Sequence, residues 1–512
     1  MRHGIRPRTA LSYAARREQR RVAHATSART YGNYIGGEWR PAATGETFDD
    51  RNPANRAEVI ATFAASGADE AEAAITAAAE AAAGWRRTSP IARANILYKA
   101  SNILEARVGD VGRDLTREEG KTLKEGIGET GRAVQILRYF AGEAQQPTGE
   151  HYPSASITTL LYTMDEPLGV VGIITPWNFP IAIPAWKIAP ALAFGNTVVL
   201  KPASQSPLSA FHFVEALIEA GLPAGVLNVV TGGGAAVGTR LVEDERVVGI
   251  SFTGSSQVGA GLRQIAAARG AKIQLELGGK NPAIVLADAD IDQALQHIVN
   301  GAMMSSGQKC TATSRAIVER SLSERFTDLL SSKIASLRVG DPLGSDTQIG
   351  PLIDDEAADR VAAEVKSAKD DGSDLLVGGG RLTDNGRGDG AFVAPALFAG
   401  VDPDSRLGQE ELFGPVLGVI PVDSVDEAIA VANRVRYGLS ASLFTRDLGK
   451  ALHFVQGIQA GIVHVNSETA GAEPQVPFGG MKGSSSYSRE QGKAARDFYT
   501  QIKTVYIDPP AS

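Results

Sequence analysis

The chain predicts an α/β fold made of two α/β regions, the first a doubly wound parallel sheet of the dinucleotide-binding type. Three observations carry that reading. From Pro167 short apolar runs alternate with helical stretches. A similar alternation starts again near Asn281, and the polar, β-rich stretch 151–165 stands apart as an excursion. At 512 residues the chain is long for one hydrophobic core, so two or three domains are expected.

The elements follow in order. Residues 1–30 carry Arg2, Arg6, Arg8, Arg16, Arg17, Arg20, Arg21 and Arg29 against the single acid Glu18, and read as a disordered leader. An Arg-rich, acid-poor leader also suits a transit peptide, but no apolar core of secretory length is present. Tyr34 to Trp39 reads as a hairpin around Gly36 and Gly37. The Ala- and Glu-rich stretch 69–86 reads as a helix with Asp69 near its N-cap. Apolar spacing of three and four gives two helices across 91–119 and a third over 125–145. Strands are predicted at 170–174, 197–200, 226–230 and 248–252, with helices at 209–220 and 235–242 between them. The second region contains 284–286, 323–338 and 416–421.

Composition sets the class. Charged residues make up 21% and hydrophobic ones 43%, ordinary for a globular enzyme. A net charge of −7 gives no footprint for nucleic acid. No apolar run reaches the roughly 18 residues that span a bilayer. Cys310 is the single cysteine, so it forms no intrachain disulfide and supports no structural zinc site. That usage fits a reducing cytoplasm.

A lone cysteine is either a small buried apolar residue or a nucleophile. Cys310 sits in Gly307-Gln308-Lys309-Cys310-Thr311, outside any apolar run, and the cation of Lys309 is expected to lower its pKa. A thiolate attacks carbonyl carbon well. Glu276 ends a strand at Glu276-Leu277-Gly278-Gly279-Lys280-Asn281-Pro282, either as a surface carboxylate or as a general base. Asn178 lies between two prolines in Thr175-Pro176-Trp177-Asn178-Phe179-Pro180, either as a turn residue or as an oxyanion donor.

Together the three segments resemble the aldehyde dehydrogenase superfamily from about Tyr31 to the C-terminus. The resemblance implies Cys310 as nucleophile, Glu276 as general base, Asn178 with the Cys310 amide as oxyanion donors, and Lys187 in proton relay. It implies a Rossmann-type cofactor domain at 31–150 and 167–280 and an α/β catalytic domain at 281–480. It also implies a small β oligomerisation element at 151–166 and 487–512, and with it a homodimer or homotetramer. The expected chemistry is oxidation of an aldehyde to an acid through a thiohemiacetal and a thioester, with no metal. Glu276 argues against transfer to coenzyme A, which needs no water-activating base. A catalytically dead binding or structural protein on the same fold is the rival of another class, and the joint presence of the three residues speaks against it.

The cofactor residues divide by stretch. Thr231-Gly232-Gly233-Gly234 lacks the acidic partner of a dinucleotide fingerprint, although Gly234 stays a candidate contact. Phe252 to Gly259 is the better phosphate loop, with Gly254, Ser255 and Gly259 as contacts, because it follows a strand and opens a helix. Thr175, Trp177 and Leu277 are further candidates. The resemblance implies Lys201 and Glu411 on the two riboses and Phe413 against the nicotinamide. Ser204 stands where NAD-preferring members often carry a glutamate; a serine there removes the repulsion of a 2′-phosphate, so NADP is the expected cofactor and NAD the alternative.

The C-terminal motif Pro477 to Gly483 continues into Ser484-Ser485-Ser486-Tyr487-Ser488-Arg489-Glu490, which departs from the commoner Ser-Gly-rich form. With Asn466 to Gly471 it looks most like the branch acting on 2-oxoglutarate semialdehyde; succinate semialdehyde or a broad aldehyde range is the alternative. A semialdehyde acid needs a cation at the tunnel mouth. Arg132 is the first choice and Arg138 the second, with Ser467 as a further substrate contact.

Overall fold

The computed structural model describes residues 29–510. The predicted leader lies outside the described residues except for its end, where Arg29–Tyr31 already forms a strand parallel to Val59–Ala64.

The first sheet has seven strands. Their order is Lys272–Glu276, Val247–Thr253, Val170–Ile174, Thr197–Lys201, Leu227–Val229, Asn33–Ile35, Glu38–Arg40. The first five are mutually parallel, and the hairpin closes the far edge antiparallel. Every residue of Val170–Ile174 and Thr197–Lys201 is buried, as helices on both faces of a parallel sheet require. Gly36 and Gly37 both take positive φ, 62° and 94°, the pair a two-residue hairpin turn of this hand demands.

Sequence and structure differ in detail at three helices. Ala68–Arg87 starts behind Gly67, and Glu70 closes the cap by accepting from the Gly67 N–H at 2.8 Å; Asp69 stands one residue inside. The stretch expected as a helix at 235–242 enters as a π-helical turn, Gly234–Gly238, before Thr239–Glu243. Ala182–Ala193 is a helix buried on every side. Its apolar residues run all round, so it has no amphipathic stripe to read.

The second sheet also has seven strands, ordered Asp374–Val377, Ala396–Ala399, Val416–Val422, Thr313–Glu319, Asn281–Val285, Ser440–Phe444, Ile462–Val465. Only the first of these runs antiparallel to its neighbour. A third, three-stranded sheet pairs Thr500–Ile507 antiparallel with Leu160–Pro167, and His151–Tyr152 lies on the other side. Just before it, Ala495, Phe498 and Tyr499 are buried in the core of the first sheet. Ile502 and Tyr506 on the outer strand are 74% and 66% exposed. Among the described residues no helix is long and apolar enough to cross a membrane.

Candidate active site

Four loops, from both large sheets, meet around Cys310. Glu276 is the last residue of its strand, and Asn281 opens a strand of the second sheet. Gly278 and Gly279 lie between. A Cβ on Gly278 would stand 2.2 Å from Glu411 Oε2, and one on Gly279 would stand 2.4 Å from the Cys310 carbonyl oxygen. Glycine is therefore required at 279, where the obstacle is backbone, and at 278 it leaves room for the Glu411 carboxylate. The Gly279 N–H donates to Glu411 Oε1 at 2.9 Å.

The thiol loop is held on all sides. Asn281 Nδ2 donates to the carbonyls of Cys310 and Ala312, both at 2.8 Å. Asn178 Nδ2 donates to the Gln308 carbonyl at 2.9 Å, which leaves its second N–H free for another acceptor. Ser305 and Ser306, at φ 53° and 52°, carry the chain through the left-handed region just before the loop. The Ser305 N–H and hydroxyl both donate to Glu125 Oε1, at 2.7 and 3.0 Å.

The electrostatics correct one expectation. Lys309 does not bring Cys310 below the ordinary thiol range: its Nζ donates to the Asn300 carbonyl at 3.2 Å, and its field at the sulfur is outweighed. Cys310 keeps some exposed surface, yet the protein crowds its sulfur. Burial pushes the thiol up to about 12, and Glu411 and Glu276 add to the rise. Glu276 is 2% exposed. Burial raises its carboxyl well above the usual range, and Glu490 raises it further. Glu411 is crowded in the same way and is pushed up by burial to about 7.

Lys187 is buried, and its Nζ bonds Glu490 Oε1 and, at 2.8 Å, Ser251 Oγ. It reaches Glu276 only through its field, which favours the ionised carboxylate.

The chain's similarities agree with this arrangement. The model of the aldehyde dehydrogenase family matches residues 39–505. The chain belongs to the aldehyde dehydrogenase family. It is 47% identical over 484 residues to an alpha-ketoglutaric semialdehyde dehydrogenase of Bacillus subtilis, covering 94% of this chain and 99% of that one. It is also 47% identical over 475 residues to an alpha-ketoglutarate semialdehyde dehydrogenase of Haloferax volcanii, covering 93% and 98%. Among solved structures, the betaine aldehyde dehydrogenase of Staphylococcus aureus in complex with NAD+ superposes with a TM-score of 0.92 at 34% identity, covering 94% and 95%. As a member of the family the chain is an NAD(P)-dependent oxidoreductase of aldehydes.

The cleft of the first sheet fits such a dinucleotide. The carboxyl ends of three adjacent parallel strands leave polar groups without protein partners. Thr175 Oγ1 and Thr253 Oγ1 are buried and unbonded, and so is Ser256 Oγ at the start of the Ser256–Ala268 helix. Lys201 is 5% exposed and bonds only the carbonyl of its own neighbour Pro202, at 3.0 Å; burial lowers it to about 8. Ligands bind at the carboxyl ends of such strands, and the helix N-terminus favours phosphate. Ser255 caps that helix by accepting from the Val258 N–H at 3.3 Å. Gly254 donates to the Glu276 carbonyl at 3.1 Å, and Gly259 leaves room for Leu277, whose side chain would meet a Cβ there at 2.6 Å. Ser204 Oγ donates to the Gly232 carbonyl at 3.2 Å, and Gly234 is exposed close by. Trp177 and Phe413 meet edge to face at 5.4 Å, with Phe413 held at φ 55°.

The substrate candidates separate. Arg132 lines a cavity of about 430 Å³ with Gln135, Tyr139, Glu473, Pro474 and Gln475. Among the described residues no acceptor is hydrogen bonded to its guanidinium. Arg138 is corrected: its guanidinium binds Glu105 at 2.9 and 2.5 Å, on the neighbouring helix, and is not brought to this cavity. Ser467 Oγ lies 3.3 Å from His464 Nδ1; two residues on, Thr469 Oγ1 donates to the Thr311 carbonyl at 2.7 Å, so this segment adjoins the thiol loop. Among the described residues no group of His, Cys, Asp or Glu is placed to hold a metal ion.

Several residues of the site carried no reading in the sequence. Lys121 Nζ donates to the Asn178 carbonyl at 2.8 Å and to Glu129 Oε2 at 2.7 Å. Asn281 was legible only as the start of the second region, and its grip on the thiol loop joins residues 29 positions apart. Glu490 and Ser485, in the serine-rich departure, approach the base from the far end of the chain.

With the thiol raised to about 12, alkylation of Cys310 by iodoacetamide in the cofactor-free protein is expected to speed up about tenfold per pH unit from 7 to 9, because only the thiolate reacts. Mass spectrometry of the labelled protein checks this; a rate that levels off below pH 8 would contradict the raised thiol.

Proposed function

We propose that this enzyme oxidises 2-oxoglutarate semialdehyde to 2-oxoglutarate with Cys310 as nucleophile. The observation that carries the substrate is Arg132, a guanidinium without a hydrogen-bonded acceptor on the cavity wall, which suits the carboxylate of a semialdehyde acid. Relatives at 47% identity bear the names of enzymes for that aldehyde, which supports the same reading.

The chain's residues take their parts in order. The Cys310 thiol gives its proton to solvent water, and the sulfur bonds the aldehyde carbon. The carbonyl oxygen, now an oxyanion, takes the free N–H of Asn178 and the Cys310 amide; one such donor is worth about 3 kcal/mol. The dinucleotide, when bound, supplies the acceptor that turns the thiohemiacetal into a thioester. Glu276 then takes a proton from water, the hydroxyl adds to the thioester carbon, the C–S bond breaks, and the acid leaves. Lys187 and Glu490, bonded to each other and acting on Glu276 through their charges, are the residues we assign to carrying its proton away. Lys201 and Glu411 would hold the two riboses, and Gly254, Ser255 and Gly259 the pyrophosphate.

NADP is the proposed cofactor. Position 204 carries no carboxylate to repel a 2′-phosphate, and its hydroxyl would donate to one on turning from the Gly232 carbonyl. The chain is further proposed to assemble as a homodimer or homotetramer. The exposed Ile502 and Tyr506 on the three-stranded sheet support a covered face there.

Cys310→Ala is expected to abolish turnover, and Glu276→Gln to keep a burst of reduced cofactor while steady-state turnover falls about a hundredfold or more; stopped-flow absorbance reads both, and normal steady-state turnover in Glu276→Gln removes the base role. Arg132→Ala is expected to raise KM for 2-oxoglutarate semialdehyde about tenfold or more and leave uncharged aldehydes unaffected. An unchanged KM ends the carboxylate assignment, and a panel of C4–C6 semialdehydes then names the substrate. The ratio of kcat/KM for NADP over NAD is expected above one and to fall on Ser204→Glu; a ratio well below one, unmoved by that substitution, rejects NADP. Sedimentation velocity is expected to show a dimer or tetramer, and a monomer at micromolar concentration rejects the covered face.

A further inference from the structure

The serine run of the C-terminal motif lies along the open edge of the strand that carries Glu276. Ser485 pairs with Glu276 in an antiparallel bridge. The Leu277 N–H donates to the Ser484 carbonyl at 2.7 Å, and the Ser486 N–H to the Leu275 carbonyl at 2.9 Å. Ser486 Oγ also accepts from the Leu275 N–H at 2.9 Å. This backbone ladder sets Ser485 directly beside the carboxylate.

Against the ionised carboxylate, which can only accept, the direction of the side-chain bond is fixed. The Gly480 N–H donates to Ser485 Oγ at 2.6 Å. The hydroxyl has one proton, and it lies against Glu276 Oε2 at 2.5 Å. Glu276 Oε1 is buried and has no partner. Gly479 makes space for that oxygen: a Cβ at 479 would stand 2.9 Å from Oε1. One carboxylate oxygen is tied down, and the other is left open.

We propose that Ser485 is a positioning residue for the hydrolytic step, anchoring Glu276 Oε2 so that Oε1 is the oxygen presented to water. The inference rests on the reading of Glu276 as base and goes beyond it by naming what aims the base. A hydrogen bond to the ionised carboxylate also favours that form. It works against the burial and the Glu490 carboxylate that disfavour it, on the same side as the Lys187 and Arg489 cations. The Glu276 carboxylate in turn raises the Cys310 thiol.

Ser485→Ala keeps the backbone ladder and removes only the hydroxyl. In the full-length enzyme it is expected to retain the burst of reduced cofactor and to lower steady-state kcat about tenfold. Because the lost bond stabilised the charged base, the acid limb of the kcat–pH profile is expected to move up by about one pH unit. Ser485→Thr restores a hydroxyl and is expected to restore the limb. A Ser485→Ala enzyme whose acid limb and kcat match the parent overturns the inference. So does one that loses burst and steady state together, with an unmoved limb and a lowered melting temperature, since that is a structural role. Glu276→Gln, run in parallel, separates the two ideas. If it turns over normally, the base reading fails and this inference with it; if it stalls while Ser485→Ala keeps the parent's limb, only the positioning role fails. Should Ser485→Thr not fold, the Ser485→Ala limb alone decides.

Discussion

A short connector, Leu277 to Lys280, joins the edge strand of the first sheet to a central strand of the second, and the site depends on its having no slack. Glu276 stands at one end. Asn281 stands at the other and grips the Cys310 and Ala312 carbonyls, while its Oδ1 accepts from the Ser440 N–H at 3.0 Å. The two carbonyls are close-packed, and leaving a buried acceptor unpaired costs roughly 1–3 kcal/mol. The thiol loop is thus fastened to the same segment that ends in the carboxylate. The two glycines follow from this closeness, since any side chain at 278 or 279 would fill the space taken by Glu411 or by the thiol loop.

Closeness has an electrostatic consequence. Glu276 and Glu411 are two carboxylates beside one partly covered sulfur; burial raises both, and Glu490 raises Glu276 further. A base of raised pKa binds its proton more firmly than a solvated glutamate and so works nearer neutral pH. The same carboxylates raise the thiol. The resting pocket therefore disfavours negative charge everywhere at once. A cation adjacent in the chain is not enough here: Lys309 acts on the sulfur through its field while its ammonium bonds the Asn300 carbonyl, and burial outweighs it.

What was legible follows from what kind of signal each residue leaves. The parallel strands are short apolar runs between helices, and Val170–Ile174 falls where the pattern puts it. Cys310, Glu276 and Asn178 sit in dense local motifs, and the structure brings their loops together through Asn281 and through the Asn178 to Gln308 bond. The helix Ala182–Ala193 left no periodic trace because it is buried all round. Arg138 misled because six residues along a helix turn a side chain onto another neighbour, here Glu105. Lys121 was missed because its partners are 57 and 8 residues away and its surroundings read as the charged end of a helix.

Lys121 shows how far the foundations of a site extend beyond the groups that touch substrate. Its ammonium is 2% exposed, lies 4.1 Å from the centre of the Phe179 ring, and binds both the Asn178 carbonyl and Glu129. The other oxygen of Glu129 accepts from the Ile181 and Ala182 N–H groups at 3.1 Å, which are the start of the buried helix. One ion pair therefore fastens the turn that carries Asn178 to the helix that carries Lys187. Taking one partner out of a buried pair costs about 3–5 kcal/mol, because the other charge is left uncompensated. Glu119 makes this sharper, since it lies 3.8 Å from the same ammonium and has one oxygen without a partner. Asn178 is consequently fixed at both ends, its carbonyl by Lys121 and its amide by Gln308. Its remaining N–H keeps one direction without the side chain having to be ordered when substrate arrives, which is the condition under which a single donor stabilises an oxyanion most strongly.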